Sequence, residues 1–327
     1  MDLADLSIAV ENNDPAHLLR LIDSACKEAD WEGILTLRER CYSAVERGKQ
    51  LWGVAHHAEY RLALEAPGAY AAPMVDQDPS GFALGPLEEV AASTHTWDEL
   101  EAFLPSGPSR ALTAHERVMR GDDLTREPDI DRQVLEIPLA LARWEPRYRL
   151  ATYHADRAEF PSPDLPLMEP VALPSPGRDV EDHETVDAMR KLVEAWVEES
   201  NGRSEVAVVR GPAQAAIARL GLQEARMVPI TPAEALAMMG WAAASGGAHG
   251  KRRGAASGRF AAWWAAAAAA DMLDEWPPSE HDLGEGIEEI RWFAWSDLVD
   301  GTGWGLYLAA NHPRRGRSWA ITAVDAA

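Results

Sequence analysis

The sequence predicts an α+β protein in two parts, on three observations. Residues 1–160 are mostly capped segments of helical periodicity. Residues 178–327 alternate helices with short β-branched or aromatic runs. Between them, Phe160–Gly177 holds six prolines, an extended and semi-rigid composition. The reading is a mainly α-helical N-terminal domain of antiparallel helices (1–160), a Pro-rich linker (161–177) and a Trp-rich α+β C-terminal domain (178–327) with a small antiparallel meander. At 327 residues the chain is long enough for two cores.

In the first part, Asp14-Pro15 is an N-cap followed by proline at the first helical position, and Asp30 caps a second helix. Ile34, Leu37, Cys41 and Val45 repeat there at three- and four-residue spacing, and Gly48 ends it. A third helix runs from Gln50 to Pro67-Gly68. Short connections make such helices antiparallel neighbours. Residues 76–108 are broken by Pro and Gly around short helices at Pro86–Ala92 and Trp97–Phe103. Ser106–Arg120 is helical again, and extended structure is expected around Tyr148–Tyr153.

The second part opens with a charged helix, Val180–Glu199, then a short β-branched run, Glu205–Val209. Gly211-Pro212 starts another helix, and Ala225–Ile230 is a second apolar segment. Thr231-Pro232-Ala233-Glu234 combines a cap, a first-position proline and the glutamate of a capping box. That helix runs to Gly246-Gly247, and the next spans about Ser257–Trp276. Glu289–Trp295, Trp304–Ala310 and Ser318–Val324 read as strands. Turns at Asp300–Gly303 and Asn311–Gly316 make them a meander.

Composition limits function. The net charge of −22 and a pI near 4.8 disfavour general binding to nucleic acid or anionic membrane. Cys26 and Cys41 lie far from any CxxC pattern and read as reduced core thiols. The acidic N-terminus lacks a cationic leader, and no apolar run is long enough to span a bilayer, so the expected location is cytoplasmic.

Against that acidic background, residues 245–264 invert the local charge. His249, Lys251, Arg252, Arg253 and Arg259 stand in a glycine-rich loop, 246–259, that enters a helix. Cations at a helix N-terminus oppose the macrodipole, so a negative partner is expected there. The loop is not a P-loop: Arg252 stands where Ser or Thr is needed and Ser245 where the first glycine should be. His312, Arg314, Arg315 and Arg317 form a second basic group, and an anion site shared by both groups requires them within side-chain reach. The competing account is internal pairing, because residues 271–300 carry ten acids against Arg291 alone.

Eight of the thirteen tryptophans lie in residues 241–327. Trp263, Trp264, Trp295 and Trp304 are candidates for an aromatic binding surface, and a tryptophan-rich core explains the same pattern. In the strand at 289–295 both faces are apolar. It is therefore central and covered twice, or it shows an aromatic face to a partner. His183-Glu184 with Asp187 is half of a zinc helix pattern in an acidic, solvent-like setting, and no metal is expected. His56–Arg61 reads as an interhelical polar network, and His95–Asp98 and His115–Arg117 as caps or surface pairs. No GxSxG or Cys/His catalytic pattern is present.

Four phrases, HAEYRLALEAP (57–67), FALGPLEEVAASTHTW (82–97), AHERVMRGDDL (114–124) and SGGAHGKRRGAASGRFAAWW (245–264), resemble those of an uncharacterised family from high-GC bacteria. The resemblance covers most of the chain. It implies that both halves form one functional unit, and it brings no catalytic residue. The expected function is a protein–protein interaction or scaffold module, with another protein or a second copy as partner and no cofactor. The alternative is an anion- or nucleotide-binding protein or enzyme using loop 246–259.

Overall fold

The computed structural model describes residues 1–76, 84–297 and 303–326. Asp300, Gly301 and Thr302 of the predicted turn, and residues 77–83 of the Pro/Gly-broken stretch, lie outside the described residues. The chain divides into two compact units, one of Met1–Val134 with Ala151–Glu159 and the other of Leu135–Leu150 with Phe160–Ala327.

The first unit is helical: α1 (Leu3–Glu11), α2 (Pro15–Glu28), α3 (Trp31–Glu46), α4 (Trp52–Glu65), α5 (Gly68–Ala71), α6 (Leu87–Thr94), α7 (Trp97–Leu100) and α8 (Pro108–Met119). Asp14 accepts from the His17 N–H at 2.9 Å and Asp30 from the Gly33 N–H at 3.0 Å, as their cap positions predict. Leu18, Ile22, Ile34, Leu37, Cys41 and Leu62 are fully buried between these helices. Each such side chain contributes about 1.5–3 kcal/mol relative to exposure. Two short strands, β1 (Thr152–Tyr153) and β2 (Ala158–Glu159), form a two-stranded antiparallel ribbon. The polar run on α4 is an interhelical network. Glu59 accepts from Arg38 at 2.7 Å and from Tyr42 at 2.9 Å, while Arg61 bridges Asp23 and Glu65.

The second unit is built on a seven-stranded antiparallel sheet. Its elements are β3 (Glu169–Ala172), β4 (Arg178–Asp179), α9 (His183–Lys191), α10 (Glu194–Glu198), β5 (Arg203–Arg210), α11 (Ala213–Arg219), β6 (Glu224–Ile230), α12 (Pro232–Ala244), α13 (Ala255–Ala270), α14 (Glu280–Glu288), β7 (Arg291–Ser296), β8 (Trp304–His312) and β9 (Arg317–Asp325). The strand order is β3-β6-β7-β8-β9-β5-β4, so the predicted meander β7-β8-β9 forms the middle of a larger sheet. The proline-rich stretch supplies the edge strand β3, where Pro170 lies opposite Arg226. An edge strand tolerates the missing donor.

Both faces of the sheet are covered. On one, α11 packs Ala213, Ala216 and Ile217 against Val209, Met227, Trp295 and Ala320. On the other, α9 and α12 cover the sheet and α13 packs behind them. The strand with two apolar faces, β7, is therefore a covered interior strand. In this unit the charged helix, α13 and α14 differ from expectation. The charged helix splits into α9 and α10 at Leu192–Val193. Helix α13 stops at Ala270 because Asp271 turns left-handed, at φ +66°, and returns its N–H to the helix. Helix α14, absent from the sequence reading, is started by Ser279, which accepts from the Asp282 N–H at 3.1 Å.

Candidate functional site

The basic loop follows α12. Trp196 Nε1 donates to Ser245 Oγ at 2.7 Å, which anchors the point where the helix ends. Beyond it the backbone amides face acceptors supplied by the same unit. The Ala248 N–H donates to Asp325 Oδ2 at 2.6 Å, the His249 N–H to Ser200 Oγ at 3.1 Å and the Lys251 N–H to Glu199 Oε2 at 3.1 Å. Arg253 Nη2 reaches Glu199 Oε1 at 2.6 Å. The glycine-rich loop thus has the amide geometry that suits an anion, and the protein's own carboxylates and a hydroxyl stand in it. The Arg252 guanidinium lies 4.7 Å from the Phe160 ring centroid. His249 and Lys251 are exposed.

Arg259 has a separate role. Its side chain is fully buried, and so is that of Glu145, which it grips through Nε–Oε2 and Nη2–Oε1 contacts of 2.7 Å each. Arg259 Nη1 also donates to the Pro138 carbonyl and Nη2 to the Ala140 carbonyl, both at 2.8 Å. Tyr148 donates to the same carboxylate at 3.0 Å, and burial, followed by the Glu145 charge, pushes its phenol well above the ordinary value. Arg259 therefore fastens residues 135–150 to α13.

The second basic group faces the acidic stretch. Arg314 pairs with Glu289 and Arg315 with Asp271. Arg317 meets Asp271 at 3.1 Å and Asp182 at 3.0 Å. Each of the three arginines is thus paired internally. In the glycine-rich loop, Glu199 and Asp325 are engaged. The two groups do not converge. Ala248 contacts Asp325, which is in register with Trp304, whereas Arg317 is in register with His312. The length of β8 separates them, roughly 26 Å at 3.3 Å per residue.

The aromatic candidates divide in the same way. Trp263 and Trp295 are core residues, 0% and 2% exposed. Trp264 forms a partly exposed cluster with Phe260 and Trp276, its ring centroid 4.7 Å from that of Trp276. Trp304 lines a groove. It stacks on Trp241 at 5.0 Å and 22°, and Trp196 meets both rings edge-on. The groove holds about 370 Å³, and its lining includes Phe160, Pro163, Leu165, Met238, Trp241 and Trp304. This volume falls within the range of small-ligand sites. Trp241 Nε1 is buried without a hydrogen-bond partner. Phe160, Leu165 and Trp241 were missed by sequence reasoning. The usable signal was local, since Met238 and Trp241 share one helix face and Trp304 and Leu306 one strand face.

Unit 1 also corrects an expectation. His115 and Glu116, expected as a helix cap or a surface pair, are 1% and 2% exposed within α8, and Glu89 on α6 is 0% exposed. Tyr153 donates to Glu89 Oε2 at 2.7 Å, and Arg120 bonds Glu116 Oε2 at 3.1 Å and also reaches the Glu89 carbonyl. Burial pushes the neighbouring Glu88 above the usual carboxylate range. His95 is buried as well, with its ring nitrogens on the Ala91 and Ala66 carbonyls at 3.0 and 2.7 Å.

Among the described residues, no group of three or more His, Cys, Asp or Glu side chains is placed to hold a metal ion. No helix among them is long and apolar enough to cross a membrane. The chain belongs to the family of unknown function DUF6183, whose model matches residues 16–327. No curated protein and no solved structure matches it.

Proposed function

We propose that this protein acts by binding, and that the Trp241/Trp304 groove of its second unit takes up an apolar side chain of a partner protein. The observation that carries the reading is the continuity of apolar surface around the groove. Leu165 lines it and is 41% exposed, and Leu167, two residues further along the same extended segment, is 91% exposed. Exposed aliphatic side chains beside a concave aromatic wall mark an interaction surface more specifically than scattered surface leucines. The stacked tryptophans present large, rigid contact area at low entropic cost, the property that makes such residues binding hot spots.

The test is capture of partners from native lysate with the intact chain and with Leu165→Glu. A partner retained by the first and lost by the second supports the reading. Equal retention by both places binding elsewhere. The variant's far-UV circular dichroism must match the parent, as expected for a side chain already exposed.

A further inference from the structure

We propose that the cleft between α1 and α3 binds a phosphate group, free or as a small monoester, held by Arg40 and Arg47. The site belongs to the first unit and does not depend on the Trp241/Trp304 groove. The cleft holds about 250 Å³ and is lined by Ser7, Val10 and Glu11 of α1, by Arg40 and Ser43 of α3, and by Arg47 at the α3 C-cap. That volume lies below the range of sites for larger organic ligands and suits a small oxyanion. Arg40, Ser43 and Arg47 stand three and four residues apart and so share one helix face. The two arginines are two turns apart, roughly 10 Å along the axis, which two long side chains span to meet one anion. Arg40 is half-buried, and its Nη1 donates to Ser7 Oγ, which itself donates to the Leu3 carbonyl at 2.7 Å. Among the described residues Arg40 has no carboxylate partner, and its neighbours at helical spacing, Thr36, Leu37, Ser43 and Ala44, carry no acid. A cation at a helix C-terminus complements the macrodipole, which accounts for Arg47. Arg40 precedes the last turn of α3, where that effect has faded, so its charge needs another partner. Lys49 bonds the Val10 and Glu11 carbonyls at 3.1 and 2.6 Å and Glu11 Oε2 at 2.9 Å. Glu11 therefore keeps a cation when Arg47 turns to a ligand. The present Arg47–Glu11 contact, 3.1 Å between side chains 53% and 64% exposed, is a surface pair of small worth, readily exchanged for a phosphate oxygen. A carboxylate offers two oxygens in one plane. A phosphate offers oxygens in three dimensions, enough for both guanidinium forks and the Ser43 hydroxyl. The net charge of −22 works against anions at long range, so capture depends on these short contacts.

The test is isothermal titration calorimetry of the full chain with inorganic phosphate, glycerol phosphate and acetate at constant ionic strength. Both phosphates are expected to bind about tenfold or more tighter than acetate. Arg40→Gln should weaken both about tenfold or more, through the loss of charge-assisted hydrogen bonds. Arg40→Lys should recover only part of that loss, since an ammonium lacks the fork. Arg253→Gln, in the basic loop of the second unit, should leave the titration unchanged. Glycerol phosphate binding tighter than inorganic phosphate makes the ligand a monoester, and equal or weaker binding makes it free phosphate; either supports the site. Acetate binding as tightly as phosphate overturns the assignment. So does phosphate affinity that is unchanged in Arg40→Gln or lost in Arg253→Gln, or the absence of saturable heat with phosphate at tens of millimolar. Should Arg40→Gln lose the circular dichroism of the parent, Arg47→Gln at the exposed end of the cleft decides: weaker phosphate binding supports the site and unchanged binding overturns it.

Discussion

Arg259 on α13 and Glu145 in the segment 135–150 form a bidentate ion pair with both side chains 0% exposed. A fork-to-fork contact of this kind is supported in burial by further hydrogen bonds, here from Nη1 to the Pro138 carbonyl and from Nη2 to the Ala140 carbonyl. Removing one partner leaves an uncompensated buried charge. Arg259→Met should cost about 3–5 kcal/mol, and Arg259→Lys should not restore the parent, since an ammonium lacks the fork. The double change Glu145→Leu/Arg259→Met should be less damaging than Arg259→Met alone. Denaturant unfolding of these proteins together with the single variant Glu145→Leu measures this, and a double variant as unstable as the sum of its singles would contradict it.

This pair also shows where sequence reading stops. Arg259 was grouped with the loop because it lies six residues from Arg253, yet its partner is 114 residues away. The capping box at Thr231–Glu234, the α13 alanine run and the meander were legible, because caps and periodicity are local. Ser279 and Asp282 carried an equally local signal for α14 that the Pro277-Pro278 break obscured. Strand β3 was hidden by proline composition, since edge position depends on the tertiary sheet. The groove needs Trp241 from α12 and Trp304 from β8 to meet, and no spacing rule encodes that contact.

His312 makes stability pH-dependent. Burial lowers its pKa from 6.5, the charges of Arg317 and Arg314 add to the shift, and Glu289 opposes it. The unfolded chain therefore takes up the proton first as pH falls. The neutral ring's contribution is fully present above about pH 6.5 and is lost as pH falls through that value toward the folded pKa. His57 in unit 1 shifts the same way, through burial and then Arg61. Unfolding free energy compared near pH 7.5 and pH 5.5 should fall less for His312→Gln than for the parent. An identical fall in both would remove His312 from the account.

Both thiols are free and held protonated. Burial pushes Cys41 up to about 12, and burial outweighs the opposing Arg61 charge to bring Cys26 to about 12. At about pH 8 the thiolate fraction is on the order of 10⁻⁴, and the thiolate is the reactive form. Iodoacetamide should leave the native protein unlabelled over times that add two alkyl groups to the denatured chain. Mass spectrometry reads the difference, and native Cys41 reacting at the rate of an open thiol would disprove its burial.

Gly258 lets α13 approach the Gly240 backbone of α12 closely. A Cβ on Gly258 would stand 2.3 Å from the Gly240 carbonyl oxygen and 2.8 Å from the Ala244 Cβ, so backbone must move. Alanine gains up to about 1 kcal/mol in a helix interior, whereas overpacking costs about 1–3 kcal/mol. Packing wins, and Gly258→Ala should lower the melting temperature although it adds helix propensity. Gly53 on α4 is the control, because a Cβ there meets nothing within 4 Å. Gly53→Ala should be neutral or stabilising by up to about 1 kcal/mol. Equal effects of the two substitutions in a thermal melt would mean that the α12–α13 contact is not limited by the Gly258 backbone.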